Sequence, residues 1–261
     1  METQAISSRR APSVSVAIAL LDEVESIPEL LRRVTAVLDT LPGGPHEIVL
    51  VDDGSTDGTW EALCQASQQD PRLTALSLSR NFGHQAALTA ALEHVNGDVV
   101  ILMDGDLQDP PEQIPRLIAG WLAGADVVYA QRASRREGPV LRACYALFYR
   151  LLGTVAELKL PLDSGDFGLM SRRVLSQLRR MPERHRYLRG LRTWVGFRQV
   201  GVAIDRDARH AGRPSYSLSR LLGLAFDGLF SFSVVPLRFT ALAGLFVILL
   251  SVGYTAWAVG V

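Results

Sequence analysis

Apolar and polar positions follow two alternating rhythms over the first 130 residues. Val14–Leu20 (VSVAIAL), Glu47–Val51, Leu73–Leu78, Val99–Met103 and Asp126–Ala130 are short apolar runs rich in β-branched residues, and they read as buried strands. Helical spacing fills the intervals. Ser26-Ile27-Pro28-Glu29 reads as a capping box with proline in the first turn and predicts a helix to about Leu38. Further helices are predicted from Thr56 or Asp57 to about Ser67, over His84–Val95, and over Glu112–Ala123. Strands and helices that take turns in this way build βαβ units, so the expected fold is α/β with a mostly parallel, Rossmann-like sheet.

Past Gln131 the pattern changes. Arg132–Pro139 reads as a charged loop, Arg142–Leu152 as a helix, "DSGDFG" as a turn before a helix from Ser171, and Val200–Ile204 as a late strand. Within Ser217–Phe232, the residues Leu218, Leu221, Leu222, Ala225, Phe226 and Leu229 form one stripe at helical spacing, which predicts an amphipathic juxtamembrane helix. Phe239–Val261 then runs 23 residues without a charge. As a helix it would extend about 35 Å, enough for a hydrocarbon core of roughly 30 Å. Arg238 at one end and Tyr254 and Trp257 near the other suit the two interfaces, and the arginines before the span predict a cytoplasmic body at the cell (inner) membrane. The start, METQAISSRRAPS, has no apolar core of a signal peptide. The expected organisation is a tail over 1–13, a catalytic domain over 14–212, juxtamembrane helices over 213–236 and a transmembrane helix over 237–261.

Charge refines this picture. The formal net charge is zero, which gives no global reason to expect nucleic acid. Residues 1–171 nevertheless carry a net of −10, and residues 172–220 a net of +10 from 13 arginines against Glu183, Asp205 and Asp207. Most of those arginines are expected on a solvated or headgroup-facing surface. Cys64 and Cys144 stand far apart and read as reduced, buried thiols.

The chemistry-bearing clusters, "DDGSTDG" and "DGDLQDPPE", both follow predicted strands. Ligand sites of open α/β sheets lie at those carboxyl ends. Asp104 and Asp106, two positions apart at a strand end, supply hard oxygen ligands suited to Mg²⁺ or Mn²⁺, a metal that substrate phosphates then complete. A calcium loop of the EF-hand kind is excluded, because Asp109 and Pro115 stand where it needs glycine and glutamate. An aspartyl-phosphate enzyme is disfavoured by Gln108 and by a single lysine, Lys159. No G-x-G-x-x-G follows the first strand, which argues against a dehydrogenase.

Taken in order, "VDDGSTDGT", "LSRNFGHQAALTAAL", "MDGDLQDPPE" and "GDFGLMSRRV" resemble the family 2 glycosyltransferases of GT-A fold. More narrowly they resemble the polyprenyl-phosphate glycosyltransferases, among them dolichol-phosphate mannosyltransferase and the bactoprenol glucosyltransferases. "FDGLFSFSVVPLRF" is similar to the juxtamembrane helices of the membrane-anchored members. The resemblance implies inverting transfer of one sugar from a nucleotide diphosphate sugar to polyprenyl (undecaprenyl) phosphate at the cytoplasmic face, with a UDP-sugar such as UDP-glucose as donor. A GDP-mannose-dependent mannosyltransferase and a weakly catalytic, membrane-tethered scaffold are the alternatives. It further implies Glu23, Asp52, Asp53, Asp104, Arg132 and Arg209 as nucleotide-sugar-binding residues. Asp104, Asp106 and Gln108 are implied at the metal, and Asp106, Asp166 and Arg132 in catalysis, with Asp166 on the acceptor side. Three departures stand out: Leu21 replaces a tyrosine frequent near the base, Ser215 replaces a frequent lysine, and one span is legible where many relatives have two. The last leaves a truncated chain, a partner or a homo-oligomer as readings.

Overall fold

The structure, a computed structural model, describes residues 9–132, 164–183, 186–204 and 235–260. The described residues form a body built on one sheet and, separately, a single long helix.

Seven strands make up the sheet. They are β1 (Val14–Leu20), β2 (Glu47–Asp52), β3 (Leu73–Ser77), β4 (Val99–Asp104), β5 (Val127–Arg132), β6 (Ser164–Ser171) and β7 (Gln199–Ile204), in the order β3-β2-β1-β4-β6-β5-β7. β1 is an interior strand buried along its whole length, which is why its sequence is a nearly continuous apolar run rather than an alternating one. It pairs in parallel with β2 (Ile18 beside Leu50) and with β4 (Ile18 beside Met103). Helices α1 (Ile27–Thr40), α2 (Thr59–Gln69), α3 (His84–His94) and α4 (Ile114–Leu122) supply the crossovers, and α5 (Arg172–Arg179) and α6 (Leu188–Trp194) follow β6. Apolar side chains of α1 (Ile27, Leu30, Val34, Leu38) join Ile18, Leu50 and Ile101 in one core. Each fully buried side chain of this size contributes about 1.5–3 kcal/mol.

Three local expectations are corrected. "SGDFG" is not a turn but most of β6, which pairs antiparallel with both β4 and β5 and buries Phe167 and Leu169 completely. Tertiary pairing overrides the low strand preference of its glycines. Ser26 sits at the N-cap of α1 without capping it, because its hydroxyl donates to Glu23 Oε2 at 2.8 Å instead. Cys64 is free but only partly buried.

Of the arginines expected on a solvated surface, Arg173, Arg180 and Arg198 are exposed, whereas Arg172, Arg179 and Arg186 are partly buried on backbone carbonyls. Arg172 donates to the carbonyls of Gly97 and Asn96, Arg179 to those of Leu92 and Val95, and Arg186 to that of Met181. These carbonyls lie at and just beyond the end of α3 and α5, where backbone acceptors lack helical partners and a guanidinium fork can take two of them. Residues Arg9 and Ser13 are tied in a similar way, with Arg9 bonded to the carbonyls of Trp121 in the last turn of α4 and of Ala125 beyond it, and Ser13 bonded to Asp98.

The separate unit is α7 (Val235–Gly260). Its stretch Thr240–Gly260 has a mean hydropathy of 2.0 and is exposed throughout, and it is long and apolar enough to cross a membrane. The expected helices over 142–152 and 217–232 lie outside the described residues.

Candidate active site

Because β2 and β4 flank β1 on opposite sides, the chain reverses its direction of sheet growth at β1, and a crevice opens beyond the carboxyl ends of these strands. Both acidic loops sit there. Asp52 ends β2 and is buried; its Oδ1 accepts the Ser55 amide at 3.0 Å and its Oδ2 the Ser77 hydroxyl at 3.1 Å. With Gly54, Ser55, Trp60, Ser77 and Arg80 it lines a cleft of about 430 Å³. Gly54 is required by a close approach. At φ +75° its missing Cβ would fall 2.5 Å from the Arg80 carbonyl carbon, so glycine lets the two loops touch. Asp53, equally buried, accepts the amides of Phe82 and Gly83 at 2.8 and 2.9 Å. Its carboxylate therefore fixes the turn that opens α3.

The second loop leaves β4 through Asp104-Gly105-Asp106. A Cβ on Gly105 would lie 2.3 Å from Leu20 Cδ2, so the loop packs directly on the end of β1. Leu107 is buried and adopts φ +59°, a strained conformation for leucine that the packing holds in place. Asp106 is nearly buried, and its Oδ1 accepts the Gln108 amide at 3.1 Å. Burial, with Asp166, Asp109 and Asp106 adding like charge, raises the Asp104 pKa to about 6 despite the opposing effect of His84. Such crowded carboxylates favour a bound cation.

Asp166 completes the site, and the sheet register explains how. β6 runs against β4, with Leu169 opposite Ile101 and Gly168 opposite Leu102. Continuing that register sets Asp166 opposite Asp104, at the same edge. His84, the first residue of α3, stands between them, with Nε2 3.3 Å from Asp104 Oδ1 and 3.8 Å from Asp166 Oδ2. Arg189 on α6 meets Asp166 at two points, Nε at 3.4 Å and Nη2 at 3.3 Å. Gln85 reaches Asp166 at 3.5 Å and also accepts the Leu188 amide, which ties α6 to α3. Burial alone would raise the Asp166 pKa, but Arg189, then His84 and Arg192, outweigh it and hold the carboxyl below its ordinary range.

The sequence-predicted residues therefore separate into groups. Asp104, Asp106 and Gln108 share one loop, Asp166 faces them, and Asp52 lines the cleft. Glu23 and Asp53 are not among the cleft's lining residues; the Glu23 amide bonds Thr59 Oγ1 and its carboxylate bonds Ser26. The Arg132 backbone ends β5 at the same edge, while its side chain and all of Arg209 lie outside the described residues. Sequence reasoning gave no role to His84, Gln85, Arg189 or Arg192. The signal for the last two was their spacing in "LRGLRTW", three residues apart and so on one side of a helix turn.

Comparison with known proteins agrees with this geometry. Residues 15–179 match the sequence profile of glycosyl transferase family 2. An uncharacterised glycosyltransferase of Synechocystis is 38% identical over 247 residues, 94% of this chain and 77% of its own length. The bactoprenol glucosyl transferase of Shigella phage SfX is 39% identical over 94% of this chain and 81% of its own length. Among solved structures, the mannosyltransferase of Pyrobaculum calidifontis in complex with GDP-mannose and Mn²⁺ superposes with a TM-score of 0.56 at 23% identity, over 79% of this chain and 59% of that one. That likeness carries the fold alone, and the GT-A architecture expected from the sequence is the one found. With its acidic loops at the switch point of such a sheet and a family profile spanning most of the body, the chain belongs to glycosyl transferase family 2.

Proposed function

We propose that the protein transfers one sugar, with inversion, from a UDP-sugar such as UDP-glucose to polyprenyl (undecaprenyl) phosphate at the cytoplasmic face of the inner membrane. The observation that carries this reading is the convergence of Asp104 and Asp106 with Asp166 and its guanidinium partner Arg189 at one sheet edge, beside the cleft that holds Asp52. The name of the Shigella phage relative supports the lipid acceptor and the glucosyl donor, and α7 supports a site of action at a bilayer.

The donor set fits a divalent metal. Asp104 and Asp106 offer hard carboxylate oxygens in a place so rich in negative charge that Asp104 is already pushed towards protonation. A pair of carboxylates suits Mg²⁺ or Mn²⁺, which keeps waters and takes its remaining ligands from a diphosphate. When bound, such an ion supplies Lewis-acid stabilisation of the diphosphate leaving group.

The protein's own residues do the rest. Asp52 and its neighbours hold the nucleotide in the cleft. Arg132 and Arg209 attract the donor's phosphates, and Glu23 and Asp53 shape the loops beneath it. The attacking group is an oxygen of the lipid phosphate, whose second pKa is about 6, so at neutral pH it needs little help to lose its proton. That oxygen forms the new bond to the anomeric carbon as the old carbon–oxygen bond breaks, and the electron pair leaves with the nucleoside diphosphate. Asp166 held below its ordinary pKa is a weak base, so its task is to orient the acceptor and its arginines rather than to take a proton. The test is a panel of labelled UDP- and GDP-sugars offered with undecaprenyl phosphate in membranes. A lipid-extractable labelled product from a UDP-sugar alone supports the reading. A product from GDP-mannose alone would replace the donor, and none from any sugar would sink it.

A further inference from the structure

The loop between β3 and α3 is pinned at both ends. On one side the Leu78 amide donates to the Asp52 carbonyl at 2.9 Å and the Ser77 hydroxyl to the Asp52 carboxylate. On the other, Asp53 takes the amides of Phe82 and Gly83. Between these anchors, Gly54 brings the Arg80 backbone against the loop that follows β2. Arg80 therefore starts from a fixed backbone, and it lines the cleft with Asp52 and Trp60. Its side chain is held as well. The guanidinium carbon lies 4.0 Å from the centre of the Phe82 ring, well inside the roughly 6 Å reach of a cation–π contact, and Nη1 donates to the Asn81 carbonyl at 3.0 Å. Asp52 and Glu61 line the same cleft, but the Asp52 oxygens are bonded to Ser55 and Ser77, and among the described residues Arg80 forms no ion pair. Phe82 contributes little to the core, being 49% exposed and outside the buried cluster. Burial does not account for an aromatic ring at this position, whereas its contact with a cleft arginine does.

We propose that Phe82 is a positioning residue for donor binding: its ring holds the Arg80 guanidinium at the cleft in readiness for the nucleotide. This rests on the reading of the Asp52 cleft as the nucleotide site. A free arginine side chain loses much rotamer freedom when a ligand immobilises it. A ring that orders the side chain beforehand removes that cost from the binding step. The guanidinium is planar, so with one face on Phe82 it keeps its other face and its remaining N–H donors for the nucleotide. An aliphatic side chain of similar size would fill the same space, but it lacks the ring quadrupole that attracts the cation.

The test is calorimetric titration of UDP, with Mn²⁺ present, into the full-length wild type and into Phe82→Leu, Phe82→Tyr, Arg80→Gln and the double variant Phe82→Leu with Arg80→Gln, each with a melting curve. For Phe82→Leu we expect UDP affinity lowered about threefold, the scale of one exposed cation–π contact, and a melting temperature within about 2 °C of the wild type. Phe82→Tyr should bind UDP as the wild type does, because it keeps the ring. In the Arg80→Gln background, Phe82→Leu should cause no further loss, because the ring then has no cation to hold. Should Phe82→Leu not fold, Phe82→Met also removes the ring and is read in the same way. Unchanged affinity in Phe82→Leu, a tyrosine variant as weak as leucine, or an equal further loss in the Arg80→Gln background would overturn the inference. A wild type that does not bind UDP defeats the underlying reading of the cleft instead, so the two failures are distinct.

Discussion

Asp104 and Asp166 face each other across the antiparallel pair β4–β6 with the His84 ring between them, 3.3 Å from one and 3.8 Å from the other. The two carboxylates come from strands 62 positions apart in the chain, and the imidazole reaches them from the first turn of α3. His84 thus bridges the two carboxylates, one of which is proposed to serve the donor and the other the acceptor. His84→Ala should lower kcat/KM about tenfold or more and leave the melting temperature within about 2 °C, since the side chain is 40% exposed and surface replacements cost little. Full activity in that variant would make the contact incidental.

The crowding around Asp104 has a measurable sign. Its folded pKa of about 6 lies above the ordinary 3.8, so between those values the folded state holds the extra proton and stability falls as pH rises. Asp104→Asn removes that loss. The variant should gain on the wild type as pH climbs from about 4 to 6 and keep a gain of about 1–2 kcal/mol at pH 7, after allowance for the part of the side chain that water reaches. It should also lose sugar transfer, a separation of stability from function common where like charges are held for chemistry. Melting curves in metal-free buffer at several pH values check this, and a pH-independent difference would contradict it.

Gly54 tests the close approach of the loops that follow β2 and β3. A methyl group there meets backbone atoms of Arg80 and Asn81 at 2.5 and 2.7 Å, in a conformation alanine rarely adopts. Gly54→Ala should cost about 2–3 kcal/mol, which for a domain of this size lowers the melting temperature by several degrees. It should weaken nucleotide binding as well, because Gly54 lines the cleft. Titration of UDP by calorimetry beside the melting curve shows both effects. An unaltered melting curve would mean the loops have room to separate.

The legible parts of the fold were those written in local pattern. β1 announced itself because both of its faces are covered, and "DGD" was placed at a strand end because the apolar run before it reads as a strand. β6 was not legible: glycines and Asp166 disfavour a strand, and only the positions of β4 and β5 on either side make it one. The arginines of α5 look alike in the sequence, yet Arg179 bonds a carbonyl 87 positions earlier, a pairing no window can contain. His84 escaped for the same reason, since its partners lie on two strands that only the register brings together. The capping box at Ser26 was a correct sign of a helix start whose hydroxyl found a better acceptor in Glu23.

The central claim is that Asp104 and Asp106 form the working end of a lipid-phosphate sugar transferase, and one assay tests it most directly. Membranes containing the wild-type protein or Asp106→Asn are given a labelled UDP-sugar, undecaprenyl phosphate and Mg²⁺ or Mn²⁺, and the organic extract is counted. The account predicts a labelled lipid with the wild type, abolished by chelation and absent in Asp106→Asn, whose melting curve stays close to that of the wild type because the amide fits the same space. Comparable product from Asp106→Asn, or from the wild type after chelation, would contradict it.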